Sequence, residues 1–284
     1  MQESLFRRFC QAVRHAPVLR SADVVWNLLR EPYHRLLNAS GKGVEVSIGG
    51  ACVARIPGEL SGGSLDVYEP PAVAAMVVWL RAAPRPVVLD VGSAVGILSV
   101  AALAANPDSE VIAFDSDLSS LRAVERMCGY YAAGRLAVIH GFVADAHKSG
   151  KTLAEAKAET QEGIRRSGVT GNPGTTAYVC LDGDPPADIP THSLDGLLDI
   201  QALAGRAVLL KCDVEGAELL VLNGARRMLE LVRPVLLLSV HPPALPAYGH
   251  SAKQVRDFLA GLGYSIDVLS IDHEEHWWCA PGAR

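Results

Sequence analysis

Five short apolar runs, regularly separated, constrain this chain more than any other feature. They are "PVVLD" (86–90), "EVIAF" (110–114), "RLAVIH" (135–140), "AVLLKCD" (207–213) and "PVLLLSV" (234–240). Each is rich in β-branched and aliphatic residues and too short for a buried helix. Continuous runs of this kind suit strands covered on both faces of a parallel sheet. Helical periodicity fills most of the gaps, over 97–106, 117–132, 215–231 and 251–261. Ser251 with Gln254 three residues on predicts a capped start for the last of these. Strand–helix alternation gives a doubly wound α/β sheet. "YSIDVLSIDHEEHWWCAP" (264–281) breaks the alternation and predicts a C-terminal antiparallel hairpin.

The flanks read differently. Residues 1–40 carry apolar residues at helical spacing, and "GVEVSIGGACVARIP" (43–57) alternates around Gly49-Gly50 as a β-hairpin does. Residues 69–83 form a helix with prolines in its first turn. Two segments result: 1–65, N-terminal helices and hairpin, and 66–284, the α/β domain. Residues 141–206 are too many for a plain crossover. They hold a charged surface helix at 151–168 and one strand, "TTAYVCL" (175–181).

Composition excludes several functions. A net charge of −5 argues against nucleic acid as the main partner, while leaving room for a local basic cleft. No stretch offers the ~20 apolar residues of a membrane span. Six scattered cysteines without a CxxC pair fit free thiols in a reducing cytoplasm.

"VVLDVGSAVGILS" (87–99) is the sharpest local motif. Asp90 ends a strand, and Gly92, Ser93 and Gly96 form the turn into a helix. Glycine lets the backbone turn tightly and lets a ligand approach. The spacing is DxGxxxG, not the GxGxxG of nicotinamide enzymes. A carboxylate here would repel a diphosphate but can accept a hydrogen bond from an ammonium. That favours an amino-acid-bearing nucleotide such as S-adenosyl-L-methionine. Asp115 ends the second strand, where a carboxylate can accept from both ribose hydroxyls; Asp117 is the better placed helix cap. Asp145, after the third strand, falls where an adenine amino group is read. Glu69, which opens the helix at 69–83, is grouped with these cofactor residues.

These residues resemble the FkbM-type S-adenosylmethionine-dependent methyltransferases. "VVLDVGSAVG" (87–96), "SLDGLL" (193–198) and "LLKCDVEGAELLVLNGA" (209–225) carry the likeness, with "RPVLLLSVHPP" (233–243) as a looser fourth block. Family members often place a glutamate two residues before the histidine, where this chain has Ser239. The resemblance implies a class I methyltransferase fold: a Rossmann-like, mostly parallel seven-stranded sheet. It also implies methylation of hydroxyls on polyketides, sugars or glycans.

In such a sheet the fourth strand is central, and Asp213 at its end faces the ligand crevice. The carboxylates there can hold a polyol, take the acceptor's proton or help bind a metal. Asp213, Glu215 and His241 are the candidate catalytic residues. An ordinary imidazole pKa near ~6.5 suits His241 as base. Glu218 reads as a first-turn acid favoured by the helix dipole. His273 and His276 with their glutamates read as a solvated turn, and no metal ligands are assigned. Alternatives are an N-methyltransferase, disfavoured by the lack of an N/D-P-P-Y/F run, a nicotinamide oxidoreductase, and a non-catalytic nucleotide-binding module.

Overall fold

A computed structural model describes residues 43–61, 64–166 and 188–282. The expected helices at 1–40 and strand at 175–181 lie outside the described residues. Contacts divide the chain into two units, 1–44 with 57–62, and 45–56 with 63–284. The second unit contains the large sheet.

Its elements run in chain order as β2 (Cys52–Ile56), α1 (Pro70–Ala82), β3 (Val87–Val91), α2 (Ile97–Ala105), β4 (Glu110–Asp115), α3 (Leu118–Met127), β5 (Leu136–His140), β6 (Phe142–Val143), α4 (Leu153–Arg166), β7 (Thr191–His192), α5 (Leu194–Leu197), α6 (Ile200–Leu203), β8 (Val208–Asp213), α7 (Glu218–Asn223), α8 (Arg226–Leu231), β9 (Val235–Val240), α9 (Ala252–Gly261), β10 (Tyr264–Ile271) and β11 (Glu275–Pro281), with β1 (Val44–Ile48) pairing β2 as the predicted hairpin. Seven strands form one sheet in the order β10-β11-β9-β8-β3-β4-β5. All neighbours pair parallel except β11, which is antiparallel to both β9 and β10. This is the doubly wound sheet expected from the alternation, and its seven strands make it the class I methyltransferase sheet that the resemblance implies.

The strands sort their side chains by period two. Val87, Leu89 and Val91 of β3, Val208, Leu210 and Cys212 of β8, and Leu236, Leu238 and Val240 of β9 all enter one core. The alternate positions therefore face the other side. There Asp90, Lys211, Asp213 and Ser239 follow one another toward the strand ends. In register, Asp90 pairs Lys211, and Asp213 pairs Ser239. Polar residues are thus collected on one face at the C-terminal edge.

One predicted helix, 215–231, is two. It breaks between Asn223 and Arg226 because a neighbouring loop intrudes: a Cβ on Gly224 would come 2.0 Å from the Ala144 carbonyl oxygen. Asp195, from the "SLDGLL" block, caps the second piece by accepting from the backbone N–H groups of Arg227 and Met228 (2.7 and 2.9 Å). That block is therefore a bracket for the helix behind β8. The start of α9 is as expected, with Ser251 Oγ accepting from the Gln254 N–H.

Candidate active site

The glycine turn after β3 is braced from beneath. Asp90 is buried; its Oδ2 accepts from Ser99 Oγ at 2.5 Å, and its Oδ1 lies 3.2 Å from Lys211 Nζ. Lys211 in turn donates to the Gly92 carbonyl oxygen at 2.5 Å. Burial works against the lysine's charge, but the Asp90 and Asp213 carboxylates outweigh it and hold the ammonium protonated. The carboxylate expected to meet a ligand's ammonium already has an ammonium from its own chain. It still lines the cleft above the turn, with Tyr68, Gly92, Ser93, Lys211 and Asp213.

Gly92 and Gly96 both adopt left-handed φ, 75° and 81°. Their neighbours are protein atoms. A Cβ on Gly92 would lie 1.8 Å from the Asp213 carbonyl oxygen, and one on Gly96 would lie 3.1–3.2 Å from Val124 of α3. Gly92 lets β3 and β8 close on each other; Gly96 lets α2 close on α3. Neither contact requires a ligand to explain the glycine, and the left-handed φ at both is the tight turn expected of them.

Asp115 reaches back to the turn. Its Oδ2 accepts from the Ala94 N–H at 2.8 Å and its Oδ1 from the Asp117 N–H at 2.9 Å. Burial pushes its pKa up to about 6, against those two hydrogen bonds. Asp117 caps α3 through the N–H groups of Ser119 and Ser120, leaving Asp115 free of capping. Ser93 Oγ is buried beside the cleft with no hydrogen-bond partner among the described residues. Asp145 is exposed beyond β6. Glu69 stands at the head of α1 at a left-handed φ of 37°, its Oε2 3.8 Å from His276 Nδ1. Burial raises its pKa. It is placed toward the next cluster.

That cluster surrounds His241, at the end of β9. Its Nδ1 lies 2.7 Å from Glu218 Oε1. Its Nε2 lies 2.8 Å from Glu274 Oε2, 3.4 Å from Glu215 Oε2 and 3.7 Å from Asp213 Oδ1. Burial disfavours the imidazolium, but the Glu218 and Glu274 carboxylates, with Asp213, push His241 up to about 10. The ordinary imidazole pKa expected from sequence is therefore corrected: these carboxylates hold the ring protonated at neutral pH. Asp213 is itself raised, first by burial.

Two further expectations change here. Glu218 is fully buried and accepts from the Gly216 N–H (3.0 Å) as well as facing His241; it is a partner of the ring, not a solvated dipole acid. The chain achieves this by left-handed φ at Glu215 (52°) followed by Gly216 (105°). That pair turns Glu215 outward, 60% exposed, and lets Glu218 point in. At the β10–β11 turn His273 is exposed, whereas Glu274 and His276 are buried, with exposures of 5% and 1%. Ser239 Oγ lies 3.2 Å from His276 Nδ1. Ser239 thus offers a hydroxyl to His276, and Glu274 brings a carboxylate to His241. Sequence patterns alone missed Glu218 and Glu274 as site residues. The usable signal was the density of acids in 213–218 and in the "IDHEEHWW" turn.

The description "Methyltransferase FkbM domain" matches residues 90–266. The chain belongs to the FkbM methyltransferase family. The match runs from Asp90 through the Asp213–Glu218 run and His241 to β10. A comparison with curated protein sequences finds no match. Among solved structures, methyltransferase FkbM from Methylobacillus flagellatus aligns at 15% identity over 68% of this chain, with a TM-score of 0.44. This chain spans only 42% of that protein. Precorrin-6y C5,15-methyltransferase from Geobacter metallireducens aligns at 13% identity over 77% of this chain and 89% of its own, TM-score 0.44. An O-methyltransferase family protein from Burkholderia thailandensis aligns at 14% identity over 78% and 58%, TM-score 0.42. Family membership implies S-adenosylmethionine as methyl donor.

Proposed function

We propose that this chain is an S-adenosylmethionine-dependent O-methyltransferase acting on a hydroxyl of a small molecule, sugar, glycan or polyketide. The observation that carries the reading is the position of Asp213. It lines the glycine-turn cleft and also lies 3.7 Å from His241 Nε2, so one residue joins that cleft to a carboxylate-rich cluster. The residues fit the donor. The orphaned Ser93 hydroxyl lines the cleft, and Asp115 is an acceptor not consumed by capping. Asp90, Gly92, Ser93, Gly96 and Asp115 would hold it, whereas Glu69 stands against His276 and Asp145 is exposed beyond β6.

The donor supplies a methyl on a sulfonium: a C–O bond forms, the C–S bond breaks with its electron pair left on sulfur, and the acceptor's proton has to leave. The chain's tasks are alignment and proton removal. Asp213 orients the acceptor oxygen at the cleft mouth. Glu215, largely exposed beside His241, takes the proton and can pass it to water. His241, held by Glu218, fixes the charge around both. Four described cysteines are buried and unpaired, which supports a reducing, cytoplasmic setting. Among the described residues no helix is long and apolar enough to cross a membrane.

Calorimetric titration with S-adenosylhomocysteine, S-adenosylmethionine and NAD tests the cofactor. Binding of the first two and not the third is expected; the reverse overturns the reading. Labelled cofactor offered to hydroxylated glycans and polyketides should place label on oxygen. Label on nitrogen alone would move the chain to the N-methyltransferases. Cofactor binding with no transfer to any acceptor class would favour a non-catalytic module.

A further inference from the structure

Four carboxylates converge on one imidazole in the cluster at the ends of β8, β9 and the β10–β11 turn. That is more negative charge than His241 can neutralise in either protonation state. Lys211, which also faces Asp213, is closer to Asp90 (3.2 Å) than to Asp213 (3.7 Å). One ligand atom each from Asp213, His241 and Glu274 lies within 4.8 Å of the others.

The ring is also held in a particular way. Glu218 is fully buried, is itself fixed by the Gly216 N–H, and takes the Nδ1 side at 2.7 Å. That leaves Nε2 as the atom aimed at Asp213, Glu215 and Glu274. A buried carboxylate on one ring nitrogen with the other presented to oxygen ligands is the arrangement by which proteins orient a metal-binding histidine. An independent observation agrees. Glu274 is only 5% exposed and its Oε2 lies 2.8 Å from Nε2, yet this oxygen makes no hydrogen bond among the described residues. It is a buried acceptor pointing into the centre of the cluster, beside His241 Nε2 but with no hydrogen bond formed to it.

We propose that Asp213, His241 Nε2 and Glu274 bind a divalent first-row cation, which takes the place of the Nε2 proton and releases that proton to solvent. Two carboxylate oxygens and one imidazole nitrogen make a hard-to-borderline ligand set, suited to Mn²⁺ or a similar ion that keeps open positions for water or hydroxyl oxygen. Thiolate ligation is not offered, since Cys212 points into the opposite core. Glu215, exposed at the rim, is left to handle the acceptor's proton. The site deepens the acceptor-side reading above and rests on it only for the cation's use, since cation binding needs neither cofactor nor acceptor.

The test is titration of the full metal-stripped chain with Mn²⁺, followed by electron paramagnetic resonance and calorimetry, with Zn²⁺ and Mg²⁺ compared. One Mn²⁺ per chain is expected, with a rise in melting temperature. Glu274→Gln and Asp213→Asn should each abolish or strongly weaken binding. Glu218→Gln, which touches only the far side of the ring, should weaken it by about 10–100-fold. If Glu274→Gln does not fold, the other two variants and the wild-type melting shift decide. No binding of any of the three ions at millimolar concentration, or binding unchanged in all folded variants, overturns the proposal. S-adenosylhomocysteine binding is measured on the same preparation. If it binds and Mn²⁺ does not, only the cation site falls; if Mn²⁺ binds and it does not, only the methyltransferase reading falls.

Discussion

The two halves of the sheet's C-terminal edge differ in how their charges are balanced. On the β3–β4 side each carboxylate has partners from the chain itself, although Asp90 Oδ1, 3.2 Å from Lys211 Nζ, makes no hydrogen bond among the described residues. Asp90 has Lys211 and Ser99, Asp115 has the N–H groups of Ala94 and Asp117, and the turn is shaped by backbone angles. On the β8–β9–β11 side the acids outnumber their donors, and Glu274 Oε2 and Glu218 Oε2 are buried with no hydrogen bond among the described residues. Burying an unsatisfied carboxylate is costly, so such a site persists where a ligand or a reaction uses the charge. The first half has a buried ammonium and backbone N–H groups set against its acids. The second half is incomplete by itself.

This contrast is open to attack, and the acceptor side should show the largest effect. Glu215→Gln is expected to lower methyl transfer by ~100- to 10,000-fold, the usual worth of general acid–base work, with S-adenosylhomocysteine affinity within a few-fold of wild type. Steady-state rates with the acceptor found by screening, beside calorimetry, check both halves of that statement. Equal losses in rate and cofactor affinity would erase the distinction between the halves.

Lys211→Met attacks the first half. It leaves Asp90 buried without its ammonium and removes the donor to the Gly92 carbonyl. A loss of about 3–5 kcal/mol in unfolding free energy is expected from a broken buried pair. Urea denaturation measures it, and adding Asp90→Asn should recover part of the loss. Stability near wild type in the single variant would show that the pair is not what holds the turn.

A smaller effect is expected at Asp115. Asp115→Ala should weaken S-adenosylmethionine binding by about 1–3 kcal/mol, the range for a lost charged hydrogen-bond partner. Unchanged affinity in a folded variant would leave Asp115 as a brace for Ala94 only.

The smallest concerns pH. Burial raises Asp115 to about 6 from an ordinary 3.8. A raised carboxyl favours the folded state below its unfolded pKa, and that contribution declines as pH climbs toward the folded value. Stability should therefore fall modestly between about pH 4 and pH 6 from this residue. Asp115→Asn should flatten that part of the profile, measured by thermal unfolding across the range. An identical slope in both proteins would mean the carboxylate does not titrate there.

Sequence alone determined the sheet, its hairpin edge and the glycine turn after β3, because those depend on local periodicity and on residue types with local meaning. Alternating apolar runs fixed β3, β4, β5, β8 and β9; glycine with an acidic neighbour marked the turn at 90–96; Asp117 was readable as the cap of α3. The acid-dense run 213–218 was readable as a site, and Asp213, Glu215 and His241 do gather at one place. Which acids point inward was not readable. Glu218 is buried because two successive left-handed residues, Glu215 and Gly216, reverse the chain before α7. Glu274 and His276 are buried because β11 pairs with β9 in a register that sets His276 opposite Ser239. Gly92 is glycine because the Asp213 carbonyl, more than a hundred residues away in sequence, occupies the space of its Cβ. Those facts belong to contacts between distant strands. Local pattern says which face a residue takes, and only the assembled sheet says what meets it there.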